Sequence, residues 1–370
     1  MDEMKAEIRG RASQFYTVNI RASSTECILE TFLESGLYVS LSELSLYNPR
    51  LSSVHDRIPP DYLHTIYKGP LWVPFINLLG TLSALRVNGT KFHRNYVSFS
   101  DRLVELRLQK VVVGRNSTLA GLLNSAPSLQ DLKLVSVTTF PDLNQVECNI
   151  ALRNLQTFIL EDLYFNTLEF LLQSTTASSY QLTLYLAIHS VESISLDEPE
   201  PEPVGIEDIC IILWSKSINT LFLSYDGGDA WKLTGSGLHK PLQAIPFIKI
   251  LKIRGWCFDS GEREALKRPQ LQGAEVENRD LFPEFEQLYL TSACIIDQEA
   301  IKDTVTSHPI KKMVLGGNLR YQGTIHPISG HEQMPDEHLV GWLQSNVPDF
   351  PLLWNYNDPP EFHSDVWQLW

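Results

Sequence analysis

His326, His331 and His338 fall close to Glu332, Asp336 and Glu337, a set of side chains that could ligate a metal. Zinc sites place His-x-x-x-His on one helix face or use paired cysteines, because the ligands must converge on one point. Here the set runs through a proline-containing loop, so it reads as surface polar residues. Ser236 lies between Gly235 and Gly237. It is outside any Gly-x-Ser-x-Gly elbow, which a serine nucleophile uses to project its Oγ, and it reads as a flexible loop residue. The glycine pairs at 227–228 and 316–317 lack the Gly-x-x-x-x-Gly-Lys context that cradles phosphate, and read as turns. Cys27, Cys148, Cys210, Cys257 and Cys294 are an odd, dispersed set. They fit buried thiols in a reducing compartment better than a disulfide framework or a zinc site. No catalytic, cofactor or metal site is expected, and the chain reads as not an enzyme.

Composition narrows the partners. Across 370 residues, 43% are hydrophobic and 20% charged, as in a folded protein. The net charge of −14 argues against a nucleic-acid binder, which needs a basic stripe for the phosphate backbone. From Glu275 to Trp370, fifteen acidic residues stand against five basic ones, a solvated acidic surface. The start, Met1 to Arg11, lacks the apolar core of a signal peptide, and no apolar run approaches the ~18 residues of a membrane helix. Without secretion, the sequons at Asn88 and Asn116 read as chance matches. A cytoplasmic or nuclear protein is expected, with no membrane partner.

The elements that position any site come from a repeat. Leu103-x-x-Leu106-x-Leu108 recurs as Leu129, Leu132, Leu134 and again as Leu155, Phe158, Leu160; a further step lands on Leu184 and Leu186 with the first apolar position lost. Looser copies are Phe15, Val18, Ile20; Leu41, Leu44, Leu46; and Leu82, Leu85, Val87. Downstream are Ile218, Leu221, Leu223; Ile248, Leu251, Ile253; Phe285, Leu288, Leu290; and Ile310, Met313, Leu315. In a strand, alternate residues share a face, so the last two apolar positions of each copy point the same way. One copy has no core of its own, and stacking copies buries continuous apolar columns.

Helical returns are expected over Thr118–Ser125, Asn166–Gln173, Ile206–Trp214 and Asp297–Ser307, the last capped by Asp297. Pro127, Pro246, Pro283 and Pro309 each precede a copy and turn the chain from helix to extended. The expected fold is α/β: a leucine-rich-repeat solenoid, or horseshoe, with one long parallel sheet, irregular repeats and helical returns. An all-β parallel helix is the alternative solenoid, disfavoured by these helices. Residues 1–315 form an array of about eleven repeats, interrupted by an acidic, proline-rich loop at 196–204 that extends into water. Residues 316–370 form a cap and tail, with a helix over Asp336–Ser345 and with Trp342, Trp354, Trp367 and Trp370 covering the open end. Regular leucine-rich repeats carry Asn or Cys three residues after the last Leu. Here Thr90, Val111, Val137, Leu163 and Trp256 stand there, and only Asn318 fits.

These irregular repeats, the Ala126–Leu134 phrase APSLQDLKL and the Pro283–Leu290 phrase PEFEQLYL resemble fungal, basidiomycete-type F-box/leucine-rich-repeat proteins. The closing stretch from Pro359 to Trp370 is similar to the end of such proteins. The resemblance implies a substrate-recruiting module of a ubiquitin ligase. In that family an N-terminal F-box docks to the adaptor of a cullin-type ligase and the repeats hold the target. An F-box opens on Leu-Pro-x-Glu, whereas the first repeat here begins at Phe15 and Ile58–Leu63 is a faint echo between two repeats. The adaptor is therefore an expected partner only if an F-box lies upstream. A ligase-independent interaction scaffold is the second reading.

The middle residue of each Leu-x-Leu faces away from the core, onto the concave side of such a stack. Read along the array, these are Asn19, Ser45, Arg86, Arg107, Lys133, Ile159, Tyr185, Phe222, Lys252, Tyr289 and Val314. Three bases run into an apolar, aromatic stretch, the character of a protein-binding surface. Arg86, Arg107, Lys133, Ile159, Tyr185, Phe222, Lys252 and Tyr289 are the expected contact residues for an unidentified protein target. A loop or the C-terminal tail folded over Ile159, Tyr185 and Phe222, which would make them interior, is the competing reading.

Overall fold

The computed structural model describes residues 14–21, 29–30, 33–34, 40–47, 70–91, 97–143, 148–176, 180–197, 200–214, 216–224, 236–259, 265–268, 282–321, 324–328 and 339–353. Cys27, Ile58–Leu63, Gly227–228, Gly235, His331, Glu332, Asp336, Glu337, His338, Trp354 and the Pro359–Trp370 stretch lie outside them. The fold is mixed α/β, with parallel strands and short helices. It divides between Tyr180 and Gln181 into two compact units, with Ser193–Pro201 belonging to the first.

The first unit carries β1 (Thr17–Arg21), β2 (Glu43–Tyr47), α1 (Trp72–Leu79), β3 (Ala84–Lys91), β4 (Glu105–Arg115), α2 (Asn116–Asn124), β5 (Asp131–Val135), β6 (Thr138–Phe140), β7 (Thr157–Glu161) and α3 (Phe165–Ser174). The strands β1, β2, β3, β4, β5 and β7 pair in that order, all parallel. Register sets Val18, Leu44, Leu85, Leu106, Leu132 and Phe158 in one column. Ile20, Leu46, Val87, Leu108, Leu134 and Leu160 form a second. All but Val18 are buried. Each strand entry is fixed by one carbonyl accepting two N–H groups of the next copy: Gln130 and Asp131 donate to Val104, and Gln156 and Thr157 to Gln130.

The second unit carries β8 (Gln181–Leu186), α4 (Ile206–Leu213), β11 (Ile218–Ser224), α5 (Ser236–Ala244), β12 (Ile250–Arg254), β13 (Cys257–Phe258), β14 (Gln287–Ile295), α6 (Gln298–Ser307), β15 (Lys312–Tyr321), β16 (Thr324–Pro327) and α7 (Leu339–Asn346). The two-residue strands β9 (Glu192–Ser193) and β10 (Glu202–Pro203) flank the acidic loop, whose described residues are mostly exposed. Leu184, Leu221, Leu251, Leu288 and Met313 align, as do Leu186, Leu223, Ile253, Leu290 and Leu315. The first apolar position expected to be lost before Leu184 is filled by Leu182, which is buried. A bulge between Ile218 and Thr220 lets Leu182 face Ile218.

The four helical returns fall where the periodicity predicts, within two residues, and α7 covers the described part of the helix expected over Asp336–Ser345. Asp297 caps α6 by accepting from Glu299 and Ala300 N–H. Ser236 is a correction: it begins α5 rather than lying in a loop. Leu238 and Leu242, one turn apart and both buried, hold that helix despite Pro241 inside it. Helix α1 was not anticipated either.

One bend recurs along the chain, inside β3, β4, β14 and β15 and just beyond β5, β7 and β12, so the glycine pair 316–317 lies within a strand rather than at a turn. Two residues past the last aliphatic position, Lys110, Ser136, Asp162 and Ser292 adopt φ of 47–50°, and Gly89, Gly255 and Gly317 are also positive. Ser136 N–H donates to Glu161 O at 2.9 Å, and Gly255 N–H to Thr291 O at 3.0 Å. The next residue then turns inward: Val111, Val137, Leu163 and Trp256 are buried where regular repeats place Asn. Gly317 is obligatory, since a Cβ there would lie 2.1 Å from Ala293 O.

Candidate functional site

In the first unit, register brings Asn19, Ser45, Arg86, Arg107, Lys133 and Ile159 into one outward row. The three bases are not isolated. Arg86 donates from Nε to Glu105 Oε1 at 2.8 Å and from Nη2 to Oε2 at 2.6 Å. Its Nη1 reaches Glu43 Oε2 at 3.3 Å. Arg107 Nε pairs with Glu105 at 2.5 Å, and Lys133 Nζ lies 3.3 Å from Glu161. Burial would lower the Arg86 pKa, but the hydrogen bonds and charge of Glu105, then of Glu43, outweigh it and raise the value.

The sequence reading missed these carboxylates because it followed only the middle residue of each strand. Glu43 and Glu105 stand two residues before that position and Glu161 two after, hence on the same face. The signal was the recurring acidic residue in Glu43-Leu44 and Glu105-Leu106. Ile159 is half-buried beside Lys133. Ser45 is fully buried and its Oγ has no hydrogen-bond partner among the described residues.

In the second unit the row is Tyr185, Phe222, Lys252, Tyr289 and Val314. The Tyr185 and Phe222 rings are 4.1 Å apart between centroids. Lys252 Nζ sits 4.9 Å above the Tyr289 ring, a cation–π contact. The expected exposure is not found here: Phe222 and Tyr289 retain 5% and 6% of their accessible surface. They cluster with Val314, against which Tyr185, Ile250 and Leu353 pack.

Leu353 arrives from the C-terminal side. Met313 N–H donates to Asp349 O at 2.9 Å and Leu353 N–H to Leu315 O at 2.8 Å, so residues 349–353 run alongside β15. Leu353 also fills the space over Gly316, whose Cβ would lie 2.8 Å from the Leu353 Cβ. The tail thus covers the Val314 end of the row, and Phe222 lies three strands away in the cluster against which Leu353 packs.

The remaining titratable candidates read as structural. His308 Nε2 lies 2.8 Å from Leu266 O, and its Nδ1 accepts from Phe285 N–H at 3.4 Å. These partners place the proton on Nε2 and leave the ring neutral. Burial pushes its pKa down. Asn88 of the first sequon is buried, and Asn116 of the second accepts a hydrogen bond from Thr139 Oγ1 at 2.7 Å. Among the described residues, no group of three or more His, Cys, Asp or Glu could hold a metal. No helix among them is long and apolar enough to cross a membrane.

No family model matches the chain, and no curated protein matches it. Among solved structures the chain is similar to one from the crystal structure of the Rad7 and Elc1 complex in yeast. The identity is 13% over 88% of this chain and 69% of that one, with a TM-score of 0.42. Likeness at that level does not establish a shared fold.

Proposed function

We propose that this protein is a non-catalytic, protein-binding scaffold of the leucine-rich-repeat type, with its array over 1–315 and its cap over 316–370. The observation that carries this reading is the register-locked row Arg86–Arg107–Lys133–Ile159. Successive parallel strands there present charged and apolar side chains on one face, while the alternate residues build the core. Such a face offers many contact points, and its carboxylates are engaged in ion pairs with Arg86, Arg107 and Lys133, which suits recognition rather than catalysis. Glu43, Glu105 and Glu161 neutralise its cations, which weakens attraction for a phosphate backbone and favours a protein with mixed charge. In the second unit, the half-buried Tyr185 and Lys252 are contact residues in their own right, while Phe222 and Tyr289 are buried in the same row.

The finer reading is recruitment of a target to a cullin-type ubiquitin ligase. It is supported by the resemblance of Ala126–Leu134 and Pro283–Leu290 to F-box/leucine-rich-repeat proteins. Affinity purification from cells of the encoding organism tests both levels. The Lys133→Glu/Ile159→Asp variant is expected to lose about tenfold or more of a bound protein that Trp214→Asp retains. A ligase adaptor among the retained proteins supports the finer reading. Identical protein sets from all three chains would place binding elsewhere.

A further inference from the structure

Cys257 and Cys294, far apart in sequence, are register partners. Strand β13 pairs in parallel with β14, with Cys257 opposite Cys294 and Phe258 opposite Ile295. Two backbone bonds hold that register: Cys294 N–H to Trp256 O and Ile296 N–H to Phe258 O, both 2.8 Å. Phe258 and Ile295 take the buried face. By strand alternation the two thiols share the other face, Cys257 exposed and Cys294 half-buried. The sequence reading of dispersed, buried thiols fails for this pair. Neighbouring strands lie ~4.8 Å apart, inside the ~4.4–6.8 Å between Cα atoms that a disulfide spans.

We infer that Cys257 and Cys294 are a redox-modifiable vicinal dithiol, which a two-electron oxidant of the peroxide class converts into an intramolecular disulfide. The Cys257 thiolate is the more accessible sulfur and attacks the peroxide. The O–O bond breaks, one water leaves and a sulfenic acid remains. The Cys294 sulfur then attacks that sulfur, the S–O bond breaks and a second water leaves. Each cysteine sulfur gives up one electron, and the two peroxide oxygens take up the pair. Glutathione disulfide reaches the same product through a mixed disulfide, releasing two glutathione thiols, and a dithiol reductant reverses it. The link ties the end of β14 to the turn after β12 and closes the intervening chain into a loop. Among the described residues, Cys148 and Cys210 have no cysteine opposite them in a strand register, as Cys257 has Cys294.

The test uses the full chain, reduced and then treated with one equivalent of hydrogen peroxide. Its intact mass is expected to fall by about 2 Da as two hydrogens leave. Trypsin without reductant should then release Gly255–Arg263 covalently joined to Asp280–Lys302, and dithiothreitol should separate the two peptides. Cys257→Ser and Cys294→Ser should each abolish the joined peptide. Phenylarsine oxide, which bridges two adjacent thiols, should bind the reduced wild type and neither variant. Oxidised wild type in which Cys294 is still fully alkylated would overturn the inference, whether Cys257 then carries added oxygen or joins two chains. That readout needs no variant to fold.

Discussion

Arg86 on β3 grips Glu105 on β4 with two guanidinium nitrogens, at 2.8 Å and 2.6 Å. The two strands are neighbours, so this fork joins consecutive repeats on the outward face while Leu85 and Leu106 join them on the inward one. Arg107 and Glu43 extend the pair into a four-residue network. Only arginine presents paired donors in this geometry.

Removing one partner leaves a partly buried charge uncompensated. Arg86→Ala is expected to cost about 1–3 kcal/mol in urea unfolding, and Arg86→Lys to recover little of it. The Arg86→Ala/Glu105→Ala double variant should cost less than the two singles added together. Strict additivity would show that the network contributes nothing.

Adjacent residues on β4 should differ sharply. Leu106 is completely buried in the apolar column, and Leu106→Ala is expected to cost about 2–5 kcal/mol. Arg107 is much more exposed, and Arg107→Ala should cost under about 1 kcal/mol. Equal costs in denaturant titration would contradict the assigned faces.

Phe222 tests the covered part of the row. Because it is buried beside Tyr289 and Val314, Phe222→Ala is expected to cost about 3–5 kcal/mol and to lower the melting temperature. An aromatic anchor awaiting a partner would instead leave thermal unfolding unchanged. Leu353→Asp should destabilise the Val314 end of that cluster, because a carboxylate cannot replace the packing of that side chain on it.

His308 predicts a pH dependence. Its pKa is depressed by burial in the folded state, so the unfolded chain binds a proton first as pH falls. The stability this group contributes is complete above its ordinary value of about 6.5 and is lost as pH drops through the lower folded value. Wild type should therefore lose more stability between pH 7.5 and pH 5 than His308→Gln does. Parallel stability profiles would assign the loss to other groups.

How much of this was legible varies by residue. The aliphatic columns were readable because strand alternation forces Leu106 and Leu108 to one side, and the 26-residue step put Leu132 and Leu134 in phase. Gly89, Gly255 and Gly317 could have marked the left-handed turns. Lys110 and Ser136 adopt the same φ with side chains that give no such sign, and at Ser136 the N–H is held by Glu161 O of the next copy. Burial of Phe222 was hidden because its cluster partners Tyr289 and Val314 come from far along the chain. The Arg86 network was hidden by a narrower omission, since Glu43 and Glu105 were in plain view two residues before the middle position on the same face.

The central claim is that the outward row of the first unit holds another protein. A photo-crosslinking amino acid at Ile159, with a matched one at Ile211, which is 70% exposed on helix α4, measures this in living cells. The account predicts a discrete covalent adduct from position 159 and none from 211. No adduct from 159, or the same adduct from both positions, would contradict it.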